Sequence, residues 1–277
     1  MSNQLDRAFH TPEPIELYVE NGRGLVDVSA TSTTSTTVRI TGERAEEYDV
    51  RHLGERIAII APKDSGGLFG RHPRAEIYVE VPLASGLSAK VGSSDVVTHG
   101  RFDDTRIECG SGDVSLDVVD GSTSVQSGSG DVAAGHLAGE ARIKSGSGDV
   151  DVTRADSDLV VTTGSGDVRV ETARGGLAIK TGSGDAHVVS MGGAGVFTTG
   201  SGDLVVAAVA SGRVTAKTAS GDVRIGVVSG TPVWTDVRTA SGRLTSTLPS
   251  IGEPGADQPY LEVRATTGSG HVTLHQS

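Results

Sequence analysis

Residues 146–163 read GSGDVDVTRADSDLVVTT, and residues 164–181 read GSGDVRVETARGGLAIKT. The two blocks share their opening tetrad and the placing of their apolar residues. The tetrad Gly-Ser-Gly-Asp also opens at Gly110, Gly128, Gly182 and Gly200, so every copy from Gly110 to Asp203 begins at the same distance from the one before. A constant period of this length marks one small structural unit stacked on copies of itself.

With the first Gly as position 1, apolar residues fall at positions 5, 7, 10, 14 and 16: Val150, Val152, Ala155, Leu159 and Val161, then Val168, Val170, Ala173, Leu177 and Ile179. Alternation with a period of two means a strand with one buried face, so each unit offers two short strands, near positions 4 to 8 and 13 to 18. Glycine at positions 1 and 3 reads as the source of positive φ at one corner, and Gly121, Gly139, Ser157, Gly175 and Gly193 mark the second. No window carries the three- and four-residue apolar spacing of a helix. Strands that cannot bury their faces alone become stable when equivalent strands pair in parallel about 4.8 Å apart. The expected fold is all-β, a right-handed parallel β-solenoid (β-helix) with about 18 residues per coil, the hand following from parallel crossovers. A left-handed hexapeptide helix would need an apolar residue every six positions, which the gaps here do not supply.

Toward the C-terminus the spacing stretches: Ala219-Ser220-Gly221-Asp222, Ala240-Ser241-Gly242-Arg243 and Gly268-Ser269-Gly270-His271 each follow after a wider gap than the last. Insertions belong in corner loops, so 249–260 reads as an excursion from the stack. Gly92-Ser93-Ser94-Asp95 is an imperfect first copy. Before it, Ile15–Val19, Gly24–Val28, Val38–Ile40, Ile57–Ile60 and Ile77–Val81 alternate like strands and would cap the solenoid's open end. The expected organisation is an N-terminal tail over 1–14, irregular capping coils over 15–91 with a loop at 62–74, and regular repeats over 92–277 with a loop at 249–260.

Composition agrees with a thin core. Aromatic residues make up 3% of the chain while Gly numbers 39, too few large side chains for a wide globular interior. A net charge of −11 opposes encounter with phosphate backbones or anionic lipid, so no nucleic-acid partner is expected. The single Cys109 cannot form an intramolecular disulfide and reads as a small buried residue. Neither a signal-like apolar segment nor a membrane-length stretch occurs, so the chain is expected to be cytoplasmic without membrane insertion, with envelope association through a partner as the alternative.

The residues that invite chemistry are the repeated ones. Asp113, Asp131, Asp149, Asp167, Asp185, Asp203 and Asp222 should stack into a ladder of like charges. Calcium could relieve the repulsion, but the tetrad and its period do not match the nonapeptide calcium repeat. The simpler expectation is that each Asp accepts hydrogen bonds from the glycine turn it belongs to, with Arg243 and His271 as corner substitutes. Ser111, Ser129, Ser147, Ser165, Ser183 and Ser201 form a parallel ladder suited to hydroxyl bonding and turn packing rather than nucleophilic catalysis. His99, His136 and His187 occupy unrelated positions, which argues against a shared metal site. No signature of an esterase elbow, phosphate loop or zinc protease occurs, so no residue is assigned a catalytic, cofactor-binding or metal role, and no cofactor is expected.

The Gly-Ser-Gly-Asp-Val-x-Val repeats, the opening strand Ile15-Glu16-Leu17-Tyr18-Val19, the segment Gly22-Arg23-Gly24-Leu25-Val26-Asp27-Val28 and the step Val79-Glu80-Val81-Pro82 together resemble the bacterial DUF4097 family of adhesin-like proteins. The resemblance spans nearly the whole chain. It implies a β-solenoid repeat protein without catalytic residues to carry across, often associated with the cell envelope. The expected function is a non-enzymatic interaction surface or scaffold for a protein or glycan partner, with end-to-end self-association as one form of assembly. The alternatives are a carbohydrate-active β-helix enzyme and a calcium-stabilised repeat protein.

Overall fold

The computed structural model describes residues 4–62, 74–248 and 260–277. The segments expected as loops, 62–74 and 249–260, lie outside the described residues except at their ends. The chain is a β-solenoid that divides into two compact units, Met1–Gly139 and Glu140–Ser277.

In the first unit the strands are β1 (Gln4–His10), β2 (Glu16–Thr31), β3 (Ser35–Gly42), β4 (Asp49–Leu53), β5 (Arg56–Ile60), β6 (Arg74–Pro82), β7 (Gly86–His99), β8 (Arg101–Phe102), β9 (Thr105–Cys109), β10 (Val114–Val119), β11 (Thr123–Ser127) and β12 (Val132–Leu137). The parallel rungs start at β2, which runs beside β7 from Glu16↔Gly86 to Ser29↔His99. From there β9 and β11, and β10 and β12, stack one full repeat apart, as in Thr105↔Thr123 and Val114↔Val132. On its other side β2 pairs in parallel with β5 and β6. Antiparallel strands follow: β3 on β6, β1 on β3, and β4 on β5. Residues 4–10, expected as a tail, are therefore an edge strand. Their alternation is weak because only Leu5 among them is buried, which left the sequence without a strand signal.

Behind this antiparallel cap sits a buried polar contact. The Tyr48 hydroxyl donates to Asn21 Oδ1 (2.7 Å), and Asn21 Nδ2 donates to the Ala75 carbonyl (3.0 Å). Burial pushes the Tyr48 phenol up to about 12, and a hydrogen bond to Glu20 does the same for Tyr18. A phenol whose folded pKa is raised stabilises fully below its unfolded value near 10, and that stabilisation is lost as pH rises through about 12. Stability to urea is thus expected to fall between these values, and Tyr48→Phe to flatten the fall while leaving the Tyr18 share.

In the second unit the strands are β13 (Ala141–Ser145), β14 (Val150–Ala155), β15 (Leu159–Thr163), β16 (Val168–Ala173), β17 (Leu177–Thr181), β18 (Ala186–Met191), β19 (Gly195–Thr199), β20 (Leu204–Val209), β21 (Gly212–Thr218) and β22 (Val223–Val227), then β23 (Val233–Thr239), β24 (Leu244–Ser246), β25 (Leu261–Thr267) and β26 (Val272–Gln276). From β13 to β20 every pairing is parallel and joins equivalent positions of successive repeats, as in Val150↔Val168 and Leu159↔Leu177. The expected inward positions are the core: Val150, Val152, Ala155, Leu159 and Val161 are each at most 1% exposed. Burying a valine or leucine side chain contributes about 1.5–3 kcal/mol. Where Phe197 enters this thin interior, Gly195 makes room, since a Cβ there would lie 2.6 Å from the Phe197 ring.

The last coils do not stack in chain order. β21 pairs with β25 and β22 with β26, while β23 and β24 pair on the far side of β25 and β26. The copy at 268–271 therefore lies directly on the copy at 219–222, and the copy at 240–243 lies outside it. The copy order along the stack therefore differs from the order in the chain, whereas the first stretched gap is one extra residue between β20 and β21, since Met191 aligns with Val209 and Gly195 with Val214. Side-chain chemistry explains the choice. Leu261, Val263, Ala265, Val272 and Leu274 fill the inner coil at 0–1% exposure. The aligned positions of the outer coil include the polar Thr235 and Ser246, which the outermost place leaves partly in water.

Candidate functional site

The tetrad corners show why glycine recurs. None of the tetrad glycines from Gly110 to Gly202 has positive φ, contrary to the turn reading of the sequence. A Cβ at Gly112, Gly130, Gly166, Gly184 or Gly202 would lie 1.9–2.1 Å from a backbone oxygen of the preceding coil. Glycine is required because neighbouring backbones approach too closely for any side chain.

The aspartates do stack, but the carboxylates of Asp95, Asp113, Asp149, Asp167, Asp185, Asp203 and Asp222 serve the next coil, where the sequence reading placed the bond in the turn each belongs to. In the first unit Asp95 Oδ1 accepts from the Asp113 amide (3.0 Å) and Asp113 Oδ1 from the Asp131 amide (2.9 Å). In the second, Asp149, Asp167, Asp185 and Asp203 each accept from the amide of the following Asp at 2.7–2.8 Å. Asp222 accepts from the His271 amide (2.8 Å), and His271 Nδ1 accepts from the Arg243 amide (3.2 Å), which continues the chain in the intercalated order. Arg224 reaches both Asp203 (3.5 Å) and Asp222 (3.0 Å) and offsets the like charges. Asp104 repeats the device at the other corner, where the backbone and hydroxyl of Ser122 hold its carboxyl below the usual range. Asp167→Ala is expected to lower stability by about 1 kcal/mol, because the Asp185 amide loses its partner. Asp167→Asn keeps the acceptor and removes a like charge, so it should be neutral or stabilising, as chemical denaturation will read.

A second ladder lies inside each corner and carried a repeated sequence signal that position-by-position reading passed over. The residue before each tetrad is Cys109, Ser127, Ser145, Thr163, Thr181 or Thr199, and all are buried. Thr163 Oγ1 accepts from the Gly166 amide (3.1 Å) and donates to the Gly148 carbonyl (3.5 Å); Thr181 does the same with Gly184 and Gly166. Cys109 takes this place in the first unit, its thiol donating to the Gly112 carbonyl (3.0 Å), and burial pushes its pKa up. The tetrad serines, by contrast, face solvent.

The histidines are not gathered. His99 Nε2 stands 3.6 Å from Asp27, His136 sits in β12 opposite Val118, and His187 Nδ1 is 3.1 Å from Arg169. Among the described residues no group of three or more His, Cys, Asp or Glu side chains could hold a metal ion. Calcium needs six to eight oxygens, whereas the Oδ1 atoms of Asp95, Asp113, Asp149, Asp167, Asp185, Asp203 and Asp222 already accept from an amide. Excess chelator is expected to leave the melting temperature unchanged.

A broad concavity lies on the outer face of β1, β3, β6 and β2, a groove of about 850 Å³. Register places Asp6, Arg39, Tyr78 and Asp27 in one row across these strands, with Ala8, Thr37, Glu80 and Ser29 in the next. Gln4 donates to Asp6 (2.6 Å), Arg39 pairs with Asp6 (3.1 Å), and Thr31 donates to Glu80 (2.8 Å). Those donors hold the Asp6 carboxyl below its ordinary range, Gln4 contributing most. The Tyr78 hydroxyl donates to Glu76 (3.1 Å), and the residue remains 39% exposed. The sequence could not show this row, because its members come from four strands and one of those read as a tail.

Parallel two-strand rungs, one per repeat, with a stacked Asp corner define the class as a glycine-cornered β-solenoid. The family model described as Toastrack DUF4097 matches residues 15–191 and 173–277, and the chain belongs to this family. Similar solved structures include a “putative adhesin” from Bacteroides fragilis NCTC 9343, with 13% identity, a TM-score of 0.38 and coverage of 98% of this chain and 96% of that one. Another is described as a “putative lipid binding protein” from Parabacteroides distasonis ATCC 8503, with 14% identity, a TM-score of 0.42 and the same coverage, 98% and 96%. No curated protein sequence matches the chain.

Proposed function

We propose that the protein is a non-enzymatic interaction protein, adhesin-like in kind, whose stacked rungs act as a rigid scaffold for an outward-facing contact surface. One observation carries the reading. In the outer-face groove Asp6 pairs with Arg39 and Glu80 accepts from Thr31, while the His99 ring stands 3.6 Å from Asp27, so two of the three carboxylates are already engaged rather than left as a free acid and base poised around a bond. Such a surface suits recognition of a protein or glycan. Copies of the chain could also meet at the outer coil, where Trp234 and Leu244 are 49% and 46% exposed.

Affinity capture with the whole chain tests this, comparing wild type with Arg39→Glu. A recurrent partner lost with the variant supports the reading. Release of reducing ends from polysaccharide by the purified protein overturns it in favour of the enzyme, and a partner indifferent to Arg39→Glu overturns the choice of face. Light scattering reads self-association: a dimer that Trp234→Lys abolishes would place copies at that coil, and a monomer at high concentration would exclude it.

A further inference from the structure

We infer that the groove over β1, β3, β6 and β2 is a binding site for a neutral oligosaccharide, an inference that rests on the interaction-surface reading above and gives it a ligand class. Sugars offer two recognition features, a flat face of C–H groups and a rim of hydroxyls that both donate and accept. An aromatic face answers the first, and alternating fixed donors and acceptors answer the second.

The central row supplies both. The 39% exposure of Tyr78 leaves ring surface open in the middle of the sheet, flanked in register by Arg39 on one side and Asp27 on the other. Asp6 extends the row beyond Arg39. These are acceptor, donor, ring and acceptor in sequence across strands about 4.8 Å apart, a spacing on the scale of a sugar ring. Hydrogen bonds orient two of the groove's acceptors, since Asp6 accepts from Arg39 and Gln4 and Glu80 accepts from Thr31.

Charge selects the ligand class. Asp6, Asp27 and Glu80 outnumber Arg7 and Arg39 in the groove, and the chain as a whole carries −11, so phosphorylated, sulfated or uronic chains are repelled. A basic peptide would gain most from unpaired carboxylates, but Asp6 already pairs with Arg39. A neutral polyhydroxylated chain needs no net charge in its site. The volume of about 850 Å³ falls within the range of small-ligand sites, roughly 300–1,000 Å³.

The test titrates the full chain with maltohexaose, cellohexaose, mannohexaose and chitohexaose in turn, with affinities read by calorimetry. At least one is expected to bind. Tyr78→Ala should weaken it about tenfold, whereas Tyr78→Phe keeps the ring and stays near wild type. Lys180→Ala, on the second unit, should change nothing, and circular dichroism will verify that each variant is folded. If none of the four binds, or if binding survives Tyr78→Ala undiminished, the proposal fails. Capture of a basic peptide that Tyr78→Ala abolishes, with no sugar bound, would overturn the ligand class while leaving the interaction face standing. A face that binds neither class and whose partner ignores Arg39→Glu would overturn both.

Discussion

Gly166→Ala is expected to lower the stability of the second unit by about 3 kcal/mol or more, a large effect for adding one methyl group. The added Cβ would lie 2.1 Å from the Gly148 carbonyl oxygen, and the obstacle is main chain that no rotamer change can move. The coils must part at that corner. Parting them stretches the bond from the Asp167 amide to Asp149 (2.8 Å) and loosens Thr163, whose hydroxyl spans the Gly166 amide and the Gly148 carbonyl. Urea denaturation checks the result, with Ser165→Ala as the control in the same turn. Ser165 is exposed, so its loss should stay within about 0.5 kcal/mol. Equal effects from the two substitutions would show that the corner tolerates separation.

Val263→Asp should rank with it. Val263 is fully buried and lies between Val214 of β21 and Thr235 of β23, so an aspartate there would be a buried charge with no cation opposite. A penalty of about 4 kcal/mol follows from leaving such a charge uncompensated. The signature is local. Trp234 is the sole tryptophan and sits on the outer coil with the Arg264 guanidinium 5.7 Å from its ring, so its fluorescence reports the docking of that coil. In the variant, Trp234 emission should reach its unfolded value at lower urea than the far-ultraviolet signal of the remaining rungs. Coincident transitions would mean that the inner coil does not hold the outer one.

Much of this architecture was legible because repetition amplifies weak signals. A single Val-x-Val is ambiguous, but the same apolar spacing in successive copies fixed the strands, their inward faces and their parallel stacking. What repetition could not convey was direction between copies. The period places Asp149 near Asp167 without saying whether a carboxylate bonds the turn it belongs to or the next, and the structure shows the next. Regular spacing likewise misassigned the reason for glycine, since a need for positive φ and a need for close approach leave the same residue. The groove was illegible for a different reason. Asp6, Arg39, Tyr78 and Asp27 meet only through the antiparallel pairings of β1 with β3 and β3 with β6 and the parallel pairing of β6 with β2, outside the periodic region, and no local pattern links residues so far apart in the chain.

The exchanged order of the final coils bears on how the molecule is made. From β13 to β20 each newly synthesised rung can settle on the one before it as soon as it leaves the ribosome. Residues 233–246 have no finished surface to land on until 261–276 have been synthesised and slotted against β21 and β22. The two closing layers must therefore assemble as a pair, giving the stepwise stacking of the preceding repeats a concerted last step.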